Sequence, residues 1–265
     1  MPRKRRLFVN PDDALKELGK LDQVFIIDTT ASMQPFLDNA KRYIRELAEE
    51  TAQANDLDLS YCVIEYRDHP PQDRSFVVKN RGFGDDKQLQ SDLDALRAEG
   101  GGDDPEAMYD AVIEAAVLTY RPGADRIALL VADSPPHNPC LCGLNPLKVI
   151  DACAKANVIL NACSIAGSKI TESAMRELTD ALGGYTTTVQ SAKAAVEYTS
   201  DTFLKTAGDV GRARAYYSAA VSLGVSDDFA GATAVAAKLG WDEKTAAESA
   251  IYLRRRGTMA PAKKK

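Results

Sequence analysis

The sequence predicts a doubly wound α/β domain with a mostly parallel sheet and a small C-terminal helical extension. Apolar runs that suit buried strands alternate with segments of helical periodicity over about 180 residues. After Gly208 the strand signal disappears, and only helix-like pieces follow. We therefore divide the 265 residues into an N-terminal extension (1–20), an α/β domain (21–207) and a helical segment with a basic tail (208–265).

The strands are predicted from short apolar or alternating runs that are bounded by turn residues. The second and third runs flank the Pro70-Pro71 turn, which favours a hairpin. The runs Arg126–Ala132 and Val158–Ser164 are continuous apolar runs, as is typical of strands buried on both faces. In chain order, the predicted strands are Gln23–Ile27, Leu57–Tyr66, Ser75–Lys79, Arg126–Ala132, Val158–Ser164 and Tyr185–Val189.

The helices are predicted from apolar residues at helical spacing and from residues that start or stop helices. One helix is expected to begin at Pro105 with Asp104 as its cap. In chain order, the predicted helices are one carrying Phe36, Ala40, Tyr43, Ile44 and Leu47, one carrying Leu89, Leu93 and Leu96, the one from Pro105, Leu147–Lys155, Thr171–Leu182, Ala192–Thr206, Arg212–Leu223, Asp227–Leu239 and Asp242–Arg256.

The composition narrows the class of protein. There are 33 Lys and Arg against 38 Asp and Glu, a net charge of -5, which argues against nucleic-acid binding except through the basic C-terminal tail. Met1–Lys20 has no apolar run, and no later stretch reaches membrane-spanning length, so no signal, anchor or membrane partner is expected. Five cysteines, an odd number, favour reduced thiols in a cytoplasm.

Oxygen-bearing side chains gather at the predicted carboxyl ends of the strands. Asp28, Thr30 and Ser32 follow the first strand at alternate positions, and Asp133 directly follows the fourth. The loop Gly100–Asp104 precedes a helix that sheet neighbours can bring alongside. Ligands bind at this edge of open parallel sheets, and hard divalent cations take oxygen ligands. The pattern predicts a site for a divalent cation, with Mg²⁺ favoured over Mn²⁺ and Ca²⁺.

Three ordered segments resemble the metal-ion-dependent adhesion site of von Willebrand factor type A domains, as found in cytoplasmic bacterial-type members. The similarity spans roughly Asp22 to Thr206 and implies the Rossmann-like fold of that family. The segments are Asp28-x-Thr30-x-Ser32-Met33, Gly100-Gly101-Gly102-Asp103-Asp104-Pro105-Glu106-Ala107 and Asp133-Ser134-Pro135-Pro136-His137.

The resemblance implies a non-enzymatic module whose cation binds an acidic side chain of a partner protein, in some relatives within assemblies that include AAA ATPases. It implies metal ligands at Asp28, Thr30, Ser32, Asp103 and Asp133, the last directly or through water, and partner contacts at Met33, Asp104 and His137. Asp103 stands where the family normally has Thr. As a ligand it would add a negative charge and weaken the attraction for an acidic partner; alternatively, it faces solvent and water takes its place.

Three alternatives remain. Asp28 could be the nucleophile of a Mg²⁺-dependent phosphohydrolase, although Thr30 stands where such enzymes need a second Asp. The domain could also be a scaffold that binds no ion. The segment His137-x-x-Cys140-x-Cys142 could bind zinc, but its spacing is not a strong zinc signature, and a fourth ligand must come from elsewhere. His69, beside Pro70, is expected to be a turn residue.

Overall fold

The computed structural model describes residues 11–40, 57–102, 104–166, 168–225 and 229–256. Its centre is a six-stranded sheet of order β3-β2-β1-β4-β5-β6, in which only β3 runs antiparallel to its neighbour. This confirms the predicted doubly wound α/β class. The strands are β1 Lys20–Asp28, β2 Asp58–Tyr66, β3 Val78–Gly84, β4 Asp125–Ala132, β5 Ile159–Ile165 and β6 Thr186–Val189.

Helices cover both faces of the sheet, because successive side chains of each strand point to opposite faces. Phe25 and Ile27 of β1 face the core under α2, α3 and the first half of α7, whereas Val24 and Ile26 face the core under α4, α5 and α6. The helices are α1 Pro11–Leu18, α2 over the described residues 34–40, α3 Asp86–Ala95, α4 Met108–Val117, α5 Pro146–Ala156, α6 Lys169–Leu182, α7 Ala192–Leu223, α8 Phe229–Leu239 and α9 Glu243–Arg256.

The hairpin is present, but its second strand lies further along the chain than predicted. β3 spans Val78–Gly84 rather than Ser75–Lys79, and it pairs with β2 across a register shift between Cys62 and Ile64. Gly82 has a φ of +78° at this irregularity. Glycine has a low propensity for strands but is common at bulges. The residue types in the second half of β3 therefore do not indicate a strand.

The predicted helix start at Pro105 is wrong. The helix α4 begins at Met108, and its N-cap is Ala107, which offers no capping side chain. The backbone of the preceding residue is used elsewhere: the Glu106 N–H donates to the carbonyl of Pro135 at 2.9 Å, and its carbonyl accepts from the His137 N–H at 3.1 Å. This parallel bridge keeps Glu106 outside the helix, and Asp104 lies three residues before the N-cap, so Asp104 is not a helix cap.

The helix break predicted near Gly208 is also wrong. One 32-residue helix, α7, replaces the predicted pieces Ala192–Thr206 and Arg212–Leu223, and it crosses the predicted domain boundary at 207/208. An interior glycine costs a helix about 1 kcal/mol. That cost is offset by buried residues on both sides, with Phe203 packed on the sheet and Tyr216 packed against the C-terminal helices.

A separate cluster of helices packs on the second half of α7. It joins α1, α8 and α9 through a core that includes Leu18, Tyr217, Val235 and Leu253. The predicted helical pieces at the C-terminus are thus present, whereas Tyr43, Ile44, Leu47 and the terminal lysines lie outside the described residues. Among the residues that the structure describes, no helix has the length and apolar character needed to cross a bilayer.

Candidate functional site

The sheet order reverses between β1 and β4, and the carboxyl ends of these two strands carry the predicted site residues. Asp28 is the last residue of β1, and Asp133 directly follows β4. The two strands are parallel neighbours, with Ile27 paired with Val131. In open α/β sheets, ligands bind in the crevice at this switch point.

Asp28 is fully buried and only half satisfied. Its Oδ1 accepts hydrogen bonds from the Thr30 N–H at 2.8 Å and from the Thr30 hydroxyl at 2.7 Å. The Thr30 and Ser32 hydroxyl oxygens lie 3.3 Å apart. The second carboxylate oxygen, Oδ2, is buried without a hydrogen-bond partner among the described residues. Because an unpartnered buried carboxylate oxygen is costly, this geometry favours a cation beside it.

The glycine-rich loop lies against the loop after β1. The Ala31 N–H donates to the carbonyl of Gly100 at 3.3 Å, and the Glu99 N–H donates to the carbonyl of Thr29 at 3.0 Å. Gly101 has a φ of +72°, and a Cβ there would stand 3.0 Å from Glu106 Oε1. Glycine is therefore required at this position by both backbone conformation and space.

Glu106 is a site residue that the sequence analysis did not assign. Its side chain is buried and lines the same cleft as Asp133 and Thr30, and its Oε2 has no hydrogen-bond partner among the described residues. Its place in the glycine-rich segment was visible in the sequence. However, the inward direction of its side chain follows from the bridge with Pro136, which the sequence does not reveal.

The acidic residues of the site suppress one another's ionisation. Burial raises the pKa of Asp28 to about 7, and the negative charges of Asp133 and Asp104 add to the rise against the hydrogen bonds from Thr30. Burial likewise raises the pKa of Glu106 to about 9, with further rises caused by the charges of Asp28 and other carboxylates. A positive charge in the cleft would reverse these shifts.

The cleft above these residues has a volume of about 730 Å³. None of the described residues that line it carries a positive charge. The predicted ligands Thr30, Ser32 and Asp133 line it, and so do Met33 and Asp104. Other lining residues come from the end of β5 and the residue after it, and from the loop between β6 and α7 and the first residue of α7: Ile165, Ala166, Gln190, Ser191 and Ala192.

Of the predicted site residues that the structure describes, two are absent from the lining of the cleft: Asp28, which is fully buried, and His137. Asp103 lies outside the described residues. His137 turns its ring inward, where Nε2 lies 2.7 Å from Oδ1 of the buried Asp68. The ring nitrogen beside the Cys140 sulfur belongs to His69 and not to His137. His69 Nε2 lies 3.0 Å from Cys140 Sγ.

Residues 23–135 match the family model of the von Willebrand factor A domain. This match contains the first two of the three predicted segments and the first three residues of the third, up to Pro135. The chain contains a von Willebrand factor A domain. The remaining strands and helices, from residue 136 onward, lie beyond the matched region.

Solved structures share the fold of this von Willebrand factor A domain at low sequence identity. The von Willebrand factor type A protein from Catenulispora acidiphila superposes with a TM-score of 0.53 at 17% identity, over 73% of this chain and 43% of that one. The pilus adhesin SpaC from Lactobacillus rhamnosus GG gives a TM-score of 0.54 at 13% identity, over 73% of this chain and 30% of that one. At such identities, the similarity establishes the fold alone.

A curated relative is the alpha-protein kinase vwkA of Dictyostelium discoideum. It is 28% identical over 127 residues, which are 47% of this chain. This chain spans only 20% of that kinase. The similarity therefore concerns a segment about the size of the matched domain.

Proposed function

We propose that this chain is a protein-interaction module whose cleft binds a divalent cation, through which it recognises an acidic side chain of a partner protein. The observation that carries the proposal is the orphaned Oδ2 of Asp28, buried at the switch point beside two hydroxyls. A resident cation would satisfy this oxygen. The residues that would hold it are Asp28, Thr30, Ser32 and Asp133, with Asp103 as a further candidate.

The donor set favours Mg²⁺ over softer metals. All the donors are carboxylate or hydroxyl oxygens, which Mg²⁺ and Ca²⁺ prefer, and only two of the proposed ligands in the described residues are carboxylates. Asp28 and Asp133 would together just neutralise a dication. An additional carboxylate from Asp103 or Glu106, if ionised, would tighten the hold on the ion and weaken its attraction for a partner's carboxylate.

The chain's own residues would shape the partner surface. Ser32 and Asp104 are exposed at the mouth of the cleft, whereas Met33 is buried beneath it. Because no positively charged side chain lines the described cleft, an acidic partner would be repelled without the cation. Binding should therefore be lost on chelation. A role beside AAA ATPases and a cytoplasmic location are parts of this proposal; the five free thiols support the reducing location.

A binding role is preferred to catalysis. The Thr30 hydroxyl bonds to Asp28 at 2.7 Å, in the place where a phosphohydrolase would need a carboxylic acid to protonate its leaving group. The pilus adhesin among the structural neighbours agrees with a binding role. The kinase relative suggests that such a domain can also accompany an enzyme.

The test is Mn²⁺ binding followed by electron paramagnetic resonance on the full chain. Wild type is expected to bind one tight Mn²⁺, which Mg²⁺ displaces, and Asp28→Asn is expected to lose it. Asp151→Asn is the matched control, because it removes the same charge from an exposed position on α5. Equal Mn²⁺ binding by wild type and Asp28→Asn would refute the assignment.

The partner and the reaction class are tested with the same proteins. Affinity capture in Mg²⁺ and in chelator should yield partners that need both the ion and Asp28. A phosphatase assay should show no metal-dependent turnover. Sustained turnover that Asp28→Asn abolishes would favour the phosphohydrolase instead, and capture that is indifferent to chelator would favour the ion-free scaffold.

A further inference from the structure

A second group of metal-ligating side chains lies outside the cleft. His69 follows β2, Asp110 is in the first turn of α4, and Cys140 and Cys142 are in the loop between β4 and α5. One ligand atom from each of the four residues lies within 4.8 Å of all the others. Three segments that are distant in sequence thus converge on one point.

The distances within the group are those of a compact cluster. His69 Nε2 lies 3.0 Å from Cys140 Sγ and 3.2 Å from Asp110 Oδ2. The Cys140 thiol donates to Asp110 Oδ2 at 2.8 Å. Tetrahedral Zn²⁺ with sulfur, nitrogen and oxygen ligands needs separations of about 3.3 to 3.8 Å between ligand atoms. For the ligand atoms of His69, Asp110 and Cys140, outward movements of about half an ångström would therefore reach these separations.

The backbone holds the two cysteines in a tight turn. The Cys140 N–H donates to the Leu144 carbonyl at 2.8 Å, and the Gly143 N–H donates back to the Cys140 carbonyl at 2.7 Å. Gly143 has a φ of +82°, which favours glycine. Cys140 is buried and Cys142 is exposed, so the cluster is open to solvent on one side. An ion therefore has a path of entry.

We propose that the chain has a second metal site, a structural Zn²⁺ site that takes one ligand atom from each of four residues: His69, Asp110, Cys140 and Cys142. Two thiolates, an imidazole and a carboxylate complete a tetrahedral set with no open position for a substrate. Binding the ion displaces the thiol protons of the two cysteines to solvent, and no electron is transferred.

The ligand chemistry separates this site from the cleft. The cleft offers only oxygen atoms, whereas this cluster offers two sulfurs and a ring nitrogen, which select zinc over Mg²⁺. In the sequence, His137 and the two cysteines form the pattern His-x-x-Cys-x-Cys, but the His137 ring does not belong to this cluster. Its Nε2 bonds to Asp68, and the same Asp68 oxygen accepts the His69 backbone N–H at 2.6 Å. His137 and Asp68 thus orient a ligand without supplying one.

The zinc site would connect segments that are hydrogen-bonded to the lining of the cleft. His69 lies close to Arg67, whose carbonyl accepts the Ala107 N–H at 3.0 Å. Glu106 in turn bridges to the segment that leads from Asp133 to Cys140. Zinc would cross-link the segments that carry His69, Asp110 and the two cysteines, so its loss is expected to loosen Glu106 and Asp133, which are joined to them.

The first test is metal content and cobalt substitution of the reduced full chain. Elemental analysis after loading with Zn²⁺ and desalting should give one tightly held zinc per chain. Co²⁺ in its place should give the intense d–d absorption of a tetrahedral centre and a thiolate-to-cobalt charge-transfer band. A reduced protein that retains no zinc, or a cobalt spectrum without the thiolate band, would overturn the proposal.

Variants assign the ligands. Cys142→Ser, at an exposed position, should keep the circular dichroism of the wild type and weaken zinc binding by more than about 100-fold. His137→Gln should retain stoichiometric zinc. Asp28→Asn, the control for the cleft, should also retain it, so that failure of the cleft assignment and failure of the zinc site are distinguishable. Undiminished zinc affinity and an unchanged cobalt spectrum in Cys142→Ser would refute this ligand set.

Discussion

Replacing Asp28 by Asn should make the metal-free protein more stable at alkaline pH. Burial raises the pKa of Asp28 from 3.8 to about 7. Between these values the folded chain keeps a proton that the unfolded chain has lost, so the stability contributed by this group falls as pH rises. The loss is complete above about pH 7, where both states are ionised. An amide does not ionise and escapes this loss.

The size of the effect follows from the shift. The pKa difference between 3.8 and about 7 corresponds to about 4 kcal/mol of unfolding free energy. Because Asp28 is fully buried, the whole of this value is the upper limit of the effect. The Asn amide can accept the two hydrogen bonds from Thr30, but its NH₂ group would occupy the orphaned position at a cost of about 1–3 kcal/mol. The net gain above about pH 7 is therefore about 1–3 kcal/mol, or several degrees in Tm.

The assay is thermal unfolding in chelator at several values from about pH 5 to about pH 8. The Tm of Asp28→Asn minus that of wild type should grow with pH, whereas the same difference for Asp151→Asn should stay flat. Mg²⁺ at about 1,000 times its Kd should then reverse the order, since it stabilises only the wild type, by about 4.1 kcal/mol. A Tm difference that does not change with pH would refute the reasoning about Asp28.

Three further changes test the glycine-rich loop of the site, a buried ion pair near the opposite end of β1, and the continuity of α7. Gly101→Ala should cost about 1–3 kcal/mol in urea unfolding and weaken Mn²⁺ binding, because φ is +72° and Glu106 Oε1 stands in the way; unchanged stability would contradict it. Arg121→Gln should cost about 3 kcal/mol, because it strips the fully buried Asp22 of a 2.6 Å ion pair; a loss under about 1 kcal/mol would count against this. Gly208→Ala should raise stability by about 1 kcal/mol, and a loss would show that the helix is not continuous there.

The strands of the sheet were predictable because their burial is written in the sequence. Arg126–Ala132 and Val158–Ser164 are apolar runs; the observed β4 begins one residue before the first, and the observed β5 is the second shifted by one residue towards the C-terminus. Burial on both faces leaves little choice of residue, so the signal is strong. By contrast, β3 contains Gly82 and Gly84, and its partly exposed residues carry no such signal.

The sequence predicts the loops of the site but not every side chain that turns into it. Asp28 and Asp133 were located because strand ends are easily read and parallel strands end at one edge. Glu106 was missed because its direction depends on a bridge to Pro136, a contact between segments about 30 residues apart. His69 does begin a turn, since its carbonyl accepts from the Gln72 N–H at 3.1 Å, but only the fold brings its ring to Cys140.

The unbroken course of α7 links two parts of the molecule as a single rod. Its first residue, Ala192, lines the cleft, and its far half lies in the core shared with α1, α8 and α9. At 32 residues, it is about 48 Å long. A stiff helix of this length turns a small tilt at one end into a larger displacement at the other. A protein that binds at the cleft and shifts this end of α7 would therefore change the orientation of the C-terminal helices.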